Sequence, residues 1–461
     1  NFAEMKQETN TNQFNTLAEK PVGSLLMQYA IPAIVAMAAS SVYNIIDGIF
    51  IGQGVGPEAI MGLALTGPLM SLTAAFGAMV GVGAATLMSV KLGQKDYDTA
   101  KKIMGNVVIM NLTLGITLGV VLLCFINPIL RFFGASDVTL PYARQFMSII
   151  LVGNVVTHMY LGLNSMLRST NRPQKAMYAT FGTVLLNCLF APIFIFVLGW
   201  GIRGAAIATD ISQALAGILA LIYILVKAKH LIPEKDEYSV EKSDRSDLIQ
   251  SALAMGFMSC IVNIGTVILQ RAINGLGTDI VTAHTAARKI FDILMFMLYI
   301  VGNAVTTFVS QNMGAGRYDR VHQGVRAAII INTIITTVMI IFGWLLSPAL
   351  IKLVAGTSAS AIIDPAVRYV RIGVTCFYVL GPLFVLRCAM QGMGRKIVPV
   401  MSSTIEMVGK ILAVMILTPR LGYLGVTITE PITWFCCTLM LSIMYLTTPV
   451  EKLVEKRRAA N

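Results

Sequence analysis

Between Lys102 and Arg131 the chain carries no charged residue, and stretches of this kind recur along most of its length. About 20 apolar residues suffice to cross a bilayer as a helix, and in lipid only helices or closed barrels satisfy their own backbone. The runs are continuous and do not alternate apolar with polar positions, which excludes a barrel. Charged residues make up 13% of the chain and hydrophobic ones 56%, where a soluble domain carries about 25% charged. The pattern predicts an all-α integral membrane protein of about twelve transmembrane helices. The spans read roughly 24–51, 58–90, 100–127, 139–166, 173–198, 201–227, 247–273, 278–312, 321–350, 365–390, 397–418 and 423–447.

The second half repeats the first. Gly54-Val55-Gly56-Pro57-Glu58 aligns with Gly275-Leu276-Gly277-Thr278-Asp279, a displacement of 275 − 54 = 221 residues. Gly93, Tyr97, Asp98 and Asn111 fall on Gly314, Tyr318, Asp319 and Asn332 at the same displacement, and Gly201, Gly204 and Ile207 on Gly422, Gly425 and Ile428. Six helices per half is an even number, so the two halves insert in the same orientation as parallel repeats. The expected plan is a polar tail at 1–20, an N-lobe at 21–227, a charged linker at 228–246, a C-lobe at 247–448 and a tail at 449–461, the two six-helix repeats enclosing a central cavity. Duplicated membrane halves are the architecture of a secondary transporter.

The formal net charge is +12, which in a soluble protein would suggest nucleic acid. Here the basic residues cluster on alternate loops instead. Lys91, Lys95, Lys101 and Lys102 lie between the second and third spans; Arg168, Arg172 and Lys175 between the fourth and fifth; Lys227, Lys229, Lys235, Lys242 and Arg245 between the sixth and seventh. Arg317, Arg320 and Arg326, then Arg395 and Lys396, then Lys452, Lys456, Arg457 and Arg458 continue the series. The opposite loops hold little beyond Arg131, Arg203, Lys352 and Arg420. The positive-inside rule then puts both termini in the cytoplasm, in a bacterial inner (plasma) membrane, and nucleic acid is excluded as a partner. The seven cysteines form no CxxC pair and read as free thiols within apolar helices.

The first span reads Ile31-Pro32 through Ser41-Val42-Tyr43-Asn44-Ile45-Ile46-Asp47-Gly48-Ile49-Phe50-Ile51-Gly52. With Gly62-Leu63-Ala64, Leu167-Arg168-Ser169-Thr170-Asn171-Arg172-Pro173, Gly201-Ile202-Arg203-Gly204-Ala205-Ala206-Ile207-Ala208-Thr209 and Glu430-Pro431-Ile432-Thr433-Trp434, it resembles the multidrug and toxic compound extrusion (MATE) family, on its DinF-like and MepA-like bacterial side. The resemblance covers essentially residues 20–450. It implies a drug or metabolite exporter, not an enzyme, driven by inward H⁺ or Na⁺, with two six-helix lobes about a central cavity. It also implies a cation site in the first lobe, centred on the aspartate that matches Asp47, with Asn187 and Thr209 as partners. A second aspartate usual in that site is absent: Asn187-Cys188-Leu189-Phe190-Ala191-Pro192 has Ala191 in its place.

The residues themselves point to Asp47 independently. A carboxylate inside the membrane costs several kcal/mol unless it is paired or faces a cavity, and removal from water penalises its charged form, so Asp47 can exchange a proton. Ser40, Asn44 and Asp47 share one face of a helix, which adds Asn44 to the cation-coupling candidates Asp47, Asn187 and Thr209. One carboxylate with neutral oxygens suits H⁺ better than Na⁺, though Na⁺ at Asp47 stays open, and no other cofactor is required. Pro32 removes a helical hydrogen bond and marks a hinge. Asp210 points about 100° away from Thr209, and its role is open. In the second half, Arg288 with Asp292 and Glu406 with Lys410 are i, i+4 pairs; Glu406 and Asp292 are the candidates to meet a cationic substrate, or else serve as charge pairs.

The reading is a cation-coupled antiporter, H⁺ favoured, that exports amphipathic, cationic drugs or metabolites by alternating access as a monomer in the lipid bilayer. The alternative is a lipid-linked oligosaccharide flippase of the same superfamily, which needs several unpaired basic residues to hold a pyrophosphate. Gly77-Ala78-Met79-Val80-Gly81 and Gly115-Ile116-Thr117-Leu118-Gly119 are GxxxG patterns that let helices approach closely. No HExxH, GxSxG or GxxxxGK[ST] sequence supports a hydrolase or an ATP-driven pump.

Overall fold

Every apolar run expected to span is helical in the computed structural model, which describes residues 21–170, 173–227 and 242–453. The tail at 1–20, most of the linker at 228–246, the end of the tail at 449–461, and Arg172, Lys229 and Lys235 with them, lie outside the described residues. In the first half the helices are α1 (Val22–Gly54), α2 (Pro57–Gly93), α3 (Tyr97–Cys124), the short α4 (Ile126–Phe132), α5 (Leu140–Val152), α6 (Asn154–Ser169), α7 (Pro173–Pro192) and α8 (Gly201–Lys227). The second half follows with α9 (Lys242–Asn274), α10 (Thr278–Gly314), α11 (Tyr318–Ala355), α12 (Ser360–Thr375), α13 (Phe377–Gly392), α14 (Ile397–Leu421) and α15 (Tyr423–Thr447). Among the described residues ten candidate spans are long and apolar enough to cross a membrane, and two bent pairs bring the number to twelve.

Those pairs are where hydropathy and structure part. The fourth and tenth spans, expected as single helices, are each broken: α5 and α6 meet at 56°, α12 and α13 at 52°. The breaks fall at Gly153 and Cys376. A window of apolar residues reads the same whether its axis is straight or bent.

The backbone repeats as the residues do. Positive φ angles recur at the 221-residue displacement: Gly56 at 122° and Gly277 at 99°, Lys95 at 63° and Gly316 at 73°, Gly201 at 55° and Gly422 at 59°. Gly56 and Gly277 both precede the second helix of their half, where the chain must turn back on itself. Helix partners repeat as well. In the first half α2 packs on α6 and α7 on α8; in the second α10 packs on α13 and α14 on α15. Asn111 and Asn332, 221 apart, are both buried, and each meets a glycine of the helix beyond the break. Asn332 Nδ2 donates to the Gly381 carbonyl at 3.3 Å, and the Asn111 amide lies against Gly162.

By packing, the chain divides into two units, Ile31–Gly256 and Phe257–Asn461 with Asn1–Ala30. The first division falls within α1, beside Pro32, through which the helix runs unbroken. The core of the first unit joins Ile51, Leu69, Leu130, Phe146, Met147, Ile195 and Ala205.

Both GxxxG patterns cradle the broken fourth span. A Cβ on Gly77 would come within 2.7 Å of His158 Cδ2 and one on Gly81 within 2.9 Å of Ser165 Oγ, so α2 lies directly on α6. Likewise a Cβ on Gly115 would lie 2.8 Å from Val155 Cα, and one on Gly119 2.8 Å from the Leu151 carbonyl, on either side of the break. Gly115→Ala and Gly119→Ala are each expected to destabilise the purified protein by about 1–3 kcal/mol through overpacking. Gly182→Ala, with nothing within 4 Å of the new methyl, is expected to be neutral or slightly stabilising. Thermal unfolding in detergent compares the three.

Candidate functional site

In the first unit three helices bring polar side chains to one place. Asn187 on α7 donates through Nδ2 to Tyr43 Oη at 2.9 Å and to Thr209 Oγ1 at 3.0 Å. Thr209 donates its own proton to the Ala205 carbonyl one turn back on α8, at 3.1 Å. Its oxygen is therefore free to accept from the Tyr43 hydroxyl, 3.3 Å away. Asp47 lies one turn beyond Tyr43 on α1, so the two share a face. Its carboxylate acts electrostatically on Tyr43 and on Cys188.

With these donors spent, two acceptors remain. Asp47 Oδ1 and Asn187 Oδ1 are both buried and have no hydrogen-bond partner; Asp47 is 8% exposed and Asn187 1%. Buried polar groups without partners are rare, and each calls for a physical reason. The cluster thus leaves two buried oxygens, one of a carboxylate and one of an amide, without a donor. Of the expected set, Asn187 and Thr209 are hydrogen-bonded to each other, and Asp47 lies one helical turn from Tyr43, which contacts both. Asn44 is on α1, but its side chain lies outside the described residues. Tyr43 was not singled out from the sequence, although its spacing of four from Asp47 was the available signal.

Local sequence accounts for this geometry. Pro192 cannot donate a backbone hydrogen bond, and α7 gives way after it to a wider π-type turn over Ile193–Val197. Ala191, where the resemblance carries a second aspartate, is 1% exposed and packs in the apolar core with Ala205 and Ala208. No carboxylate replaces it at that position.

Asp210 faces elsewhere, as its place on the helix requires. Its carboxyl lies against Gly153, so closely that a Cβ on that glycine would collide with it. Its Oδ1 is buried with no hydrogen-bond partner. One turn further, Thr157 on α6 donates to Gln213 Oε1 at 2.5 Å. This face of α8 thus seats the break in the fourth span.

The second unit handles charge differently. The two i, i+4 pairs are present, Arg288 Nε to Asp292 Oδ1 at 2.7 Å and Lys410 Nζ to Glu406 Oε1 at 3.0 Å. Neither is self-contained, because Glu430 on α15 joins them. Arg288 Nη1 reaches Glu430 Oε2 at 2.8 Å and Lys410 Nζ reaches Glu430 Oε1 at 3.3 Å. Tyr369 on α12 donates to the same Oε2 at 3.1 Å, and Arg387 on α13 closes the far end on Glu406 Oε2 at 3.0 Å. The result is a row of alternating charge, Asp292, Arg288, Glu430, Lys410, Glu406, Arg387, drawn from four helices. Glu406 was expected either to meet a cationic substrate or to serve as a charge pair. Both of its oxygens are engaged by Lys410 and Arg387 and it is 8% exposed, so it is a structural charge pair. Asp292, with a side chain 42% exposed, is the acid of the row that a ligand can reach. Glu430 went unnoticed as a charge centre, yet the repeat pointed to it: 430 − 209 = 221, so it occupies the position of Thr209.

Comparison with known proteins agrees with this architecture. The MatE family model matches residues 32–193 and again 254–416; the second match starts 254 − 32 = 222 residues after the first, nearly the displacement of the internal repeat. The chain is 24% identical over 384 residues to "Probable multidrug resistance protein YoeA" of Bacillus subtilis, covering 81% of this chain and 82% of that protein. It is 25% identical to a protein described as an FAD transporter in Shewanella oneidensis, covering 67% and 69%, and 22% identical to the multidrug export protein MepA of Staphylococcus aureus, covering 84% and 86%. Among solved structures, the outward-facing conformation of a multidrug resistance MATE family transporter superposes with a TM-score of 0.89 at 21% identity, over 95% of this chain and 98% of that one.

The charge row generates a stability test. Lys410→Met removes the cation shared by Glu406 and Glu430, and breaking a buried pair from one side costs about 3–5 kcal/mol. Combining it with Glu406→Gln is expected to recover part of that loss, because the second change removes one stranded charge. Unfolding midpoints of the single and double variants, with circular dichroism to check helix content, measure both.

Proposed function

We propose that this chain, which belongs to the MatE family of membrane transporters, is a proton-coupled antiporter that exports amphipathic organic cations by alternating access. The observation that carries the reading is Asp47: a carboxylate within a membrane helix, 8% exposed, with Oδ1 unpartnered beside Tyr43, Asn187 and Thr209. An unpaired carboxylate at such depth costs several kcal/mol when charged. Its charge and the surrounding geometry must therefore change together, which is what an ion-driven transporter requires of its coupling group. Protonation gives Asp47 a hydroxyl hydrogen to donate, and Asn187 Oδ1 is the acceptor in the same cluster that lacks a donor.

Tyr43 and Thr209 are positioning residues in this reading. Their hydroxyls hold the Asn187 amide so that its oxygen stays in the cluster. A proton is favoured over Na⁺ because the cluster offers one carboxylate and few neutral oxygens, whereas Na⁺ takes several oxygen ligands. Relatives described as multidrug export and multidrug resistance proteins support organic, amphipathic cargo, and Asp292 supplies an accessible negative charge for a cation in the second unit. A flippase for pyrophosphate-linked oligosaccharides draws less support: Arg288 and the buried cations Arg387 and Lys410 are each held by acids. The relative described as an FAD transporter makes a dinucleotide the natural second cargo to try.

The test is transport in proteoliposomes loaded with ethidium or with FAD, under an imposed pH gradient or an imposed Na⁺ gradient. Wild-type protein is expected to move ethidium under the pH gradient alone, and Asp47→Asn to fall to the protein-free background. Ethidium movement driven only by Na⁺, or a fully active Asp47→Asn under the pH gradient, overturns the coupling assignment. Movement of FAD without ethidium overturns the cargo assignment alone.

A further inference from the structure

At the start of α5 and α8, away from the Asp47 cluster, a cavity of about 590 Å³ lies among Leu140, Pro141, Arg144, Gln145, Ser148, Ile149 and Arg203. Its lining contains two arginines and no acid. Arg203 is held in place by Gln145, its Nε donating to Oε1 at 3.3 Å, while Arg144 is exposed on the next turn of α5. The nearest loop acid, Asp137, is already taken by Arg131 at 2.8 Å. Neither Arg144 nor Arg203 has an ion-pair partner among the described residues.

Two further features set the character of the cavity. Leu140 opens α5 and Gly201 opens α8, so two helix N-termini, the positive ends of their dipoles, lie at the same place as the two guanidinium groups. Trp200, 47% exposed, stands directly before α8. Tryptophan favours the membrane interface, where one side of a group is wet and the other apolar. The cavity also lies at the helix ends that the charge pattern assigns to the outer face, where basic residues are otherwise scarce. Unpaired arginines there have no part in fixing orientation.

We propose that this cavity binds the phosphate headgroup of an anionic membrane phospholipid. Arg144 and Arg203 grip the phosphate oxygens, Gln145 fixes the second guanidinium, and Leu140, Pro141 and Ile149 form the apolar wall along which the lipid's acyl part descends. Arginine suits this task because its planar fork meets phosphate with paired, charge-assisted hydrogen bonds. A lipid is the occupant, not a free anion, because Leu140, Pro141 and Ile149 make much of the lining apolar and the interfacial Trp200 directly precedes α8. The site is separate from the Asp47 cluster and does not rest on the transport reading.

Binding to the purified full-length protein in neutral detergent, followed by native mass spectrometry, tests it. Phosphatidylglycerol is expected to bind about ten-fold more tightly than phosphatidylcholine: both carry the phosphate, but the choline ammonium opposes the two guanidinium groups, a difference on the scale of one charge-assisted contact. Arg144→Gln with Arg203→Gln is expected to abolish the preference. Ser148→Leu, which fills the cavity and leaves both charges, is expected to weaken phosphatidylglycerol by a similar factor and keeps the test decisive where the double variant does not fold. Inorganic phosphate at millimolar concentration is expected not to compete. An unchanged preference in the double variant or in Ser148→Leu overturns the site, and competition by inorganic phosphate as effective as that of the lipid overturns its identity as a lipid site.

Discussion

A polar group in the interior of a membrane protein has no water to fall back on, and each half of this chain meets that constraint in its own way. The backbone is satisfied by helices throughout. Side chains are another matter, because a charge at depth must be paired, hydrated or allowed to change its state. In the second unit the charge row is paired throughout: Glu430 is held by Arg288, Lys410 and Tyr369 at once. In the first, Asp47 stands without a cation, and its Oδ1 and that of Asn187 have no donor. One half has closed its electrostatics and the other has left them open.

The duplication makes that contrast meaningful. The two halves share turn glycines, broken spans, buried asparagines and helix partners at one displacement, so their backbones pose the same packing problem. Where Thr209 sits in the first half, Glu430 sits in the second, and where the first half has Asp47 the second has Ile268. The acid has moved from one helix to another and gained two cations. A carboxylate pinned by Arg288 and Lys410 cannot readily gain or lose a proton, whereas one without a partner can. The same scaffold thus carries a paired charge row in one half and, in the other, a carboxylate whose Oδ1 has no partner among the described residues.

Much of this was legible in the sequence because it rests on local signals. Apolar runs mark spans, a fixed displacement marks the repeat, and a lone aspartate within a run marks a cost that needs a reason. Asp47, Asn187 and Thr209 were named together from a family resemblance; the structure hydrogen-bonds Asn187 to Thr209 and puts Asp47 one turn from Tyr43, which contacts both. The breaks at Gly153 and Cys376 were not legible, since hydropathy records composition and a 56° change of axis leaves composition untouched. The charge row was only half legible. Spacing along one helix gives Arg288 with Asp292 and Glu406 with Lys410, but Glu430 and Arg387 join them across helices far apart in the chain. Tyr43 was passed over because a tyrosine in an apolar run reads as packing until its hydroxyl is seen to have a partner.

The broken fourth span gains its importance from α8. Two successive residues of that helix face different neighbours: Thr209 looks to α1 and α7, and Asp210 looks to the break at Gly153. A helix turn is stiff, so a shift that reorients Thr209 displaces Asp210 with it. The receiving side leaves little slack. Gly153 has no side chain to yield, Gly115 and Gly119 hold α3 against residues on both sides of the break, and Thr157 ties α6 to Gln213. Close packing of this kind transmits displacement because it cannot absorb it. A displacement of Thr209 therefore has a short mechanical route through one turn of α8 to the bend that divides the fourth span.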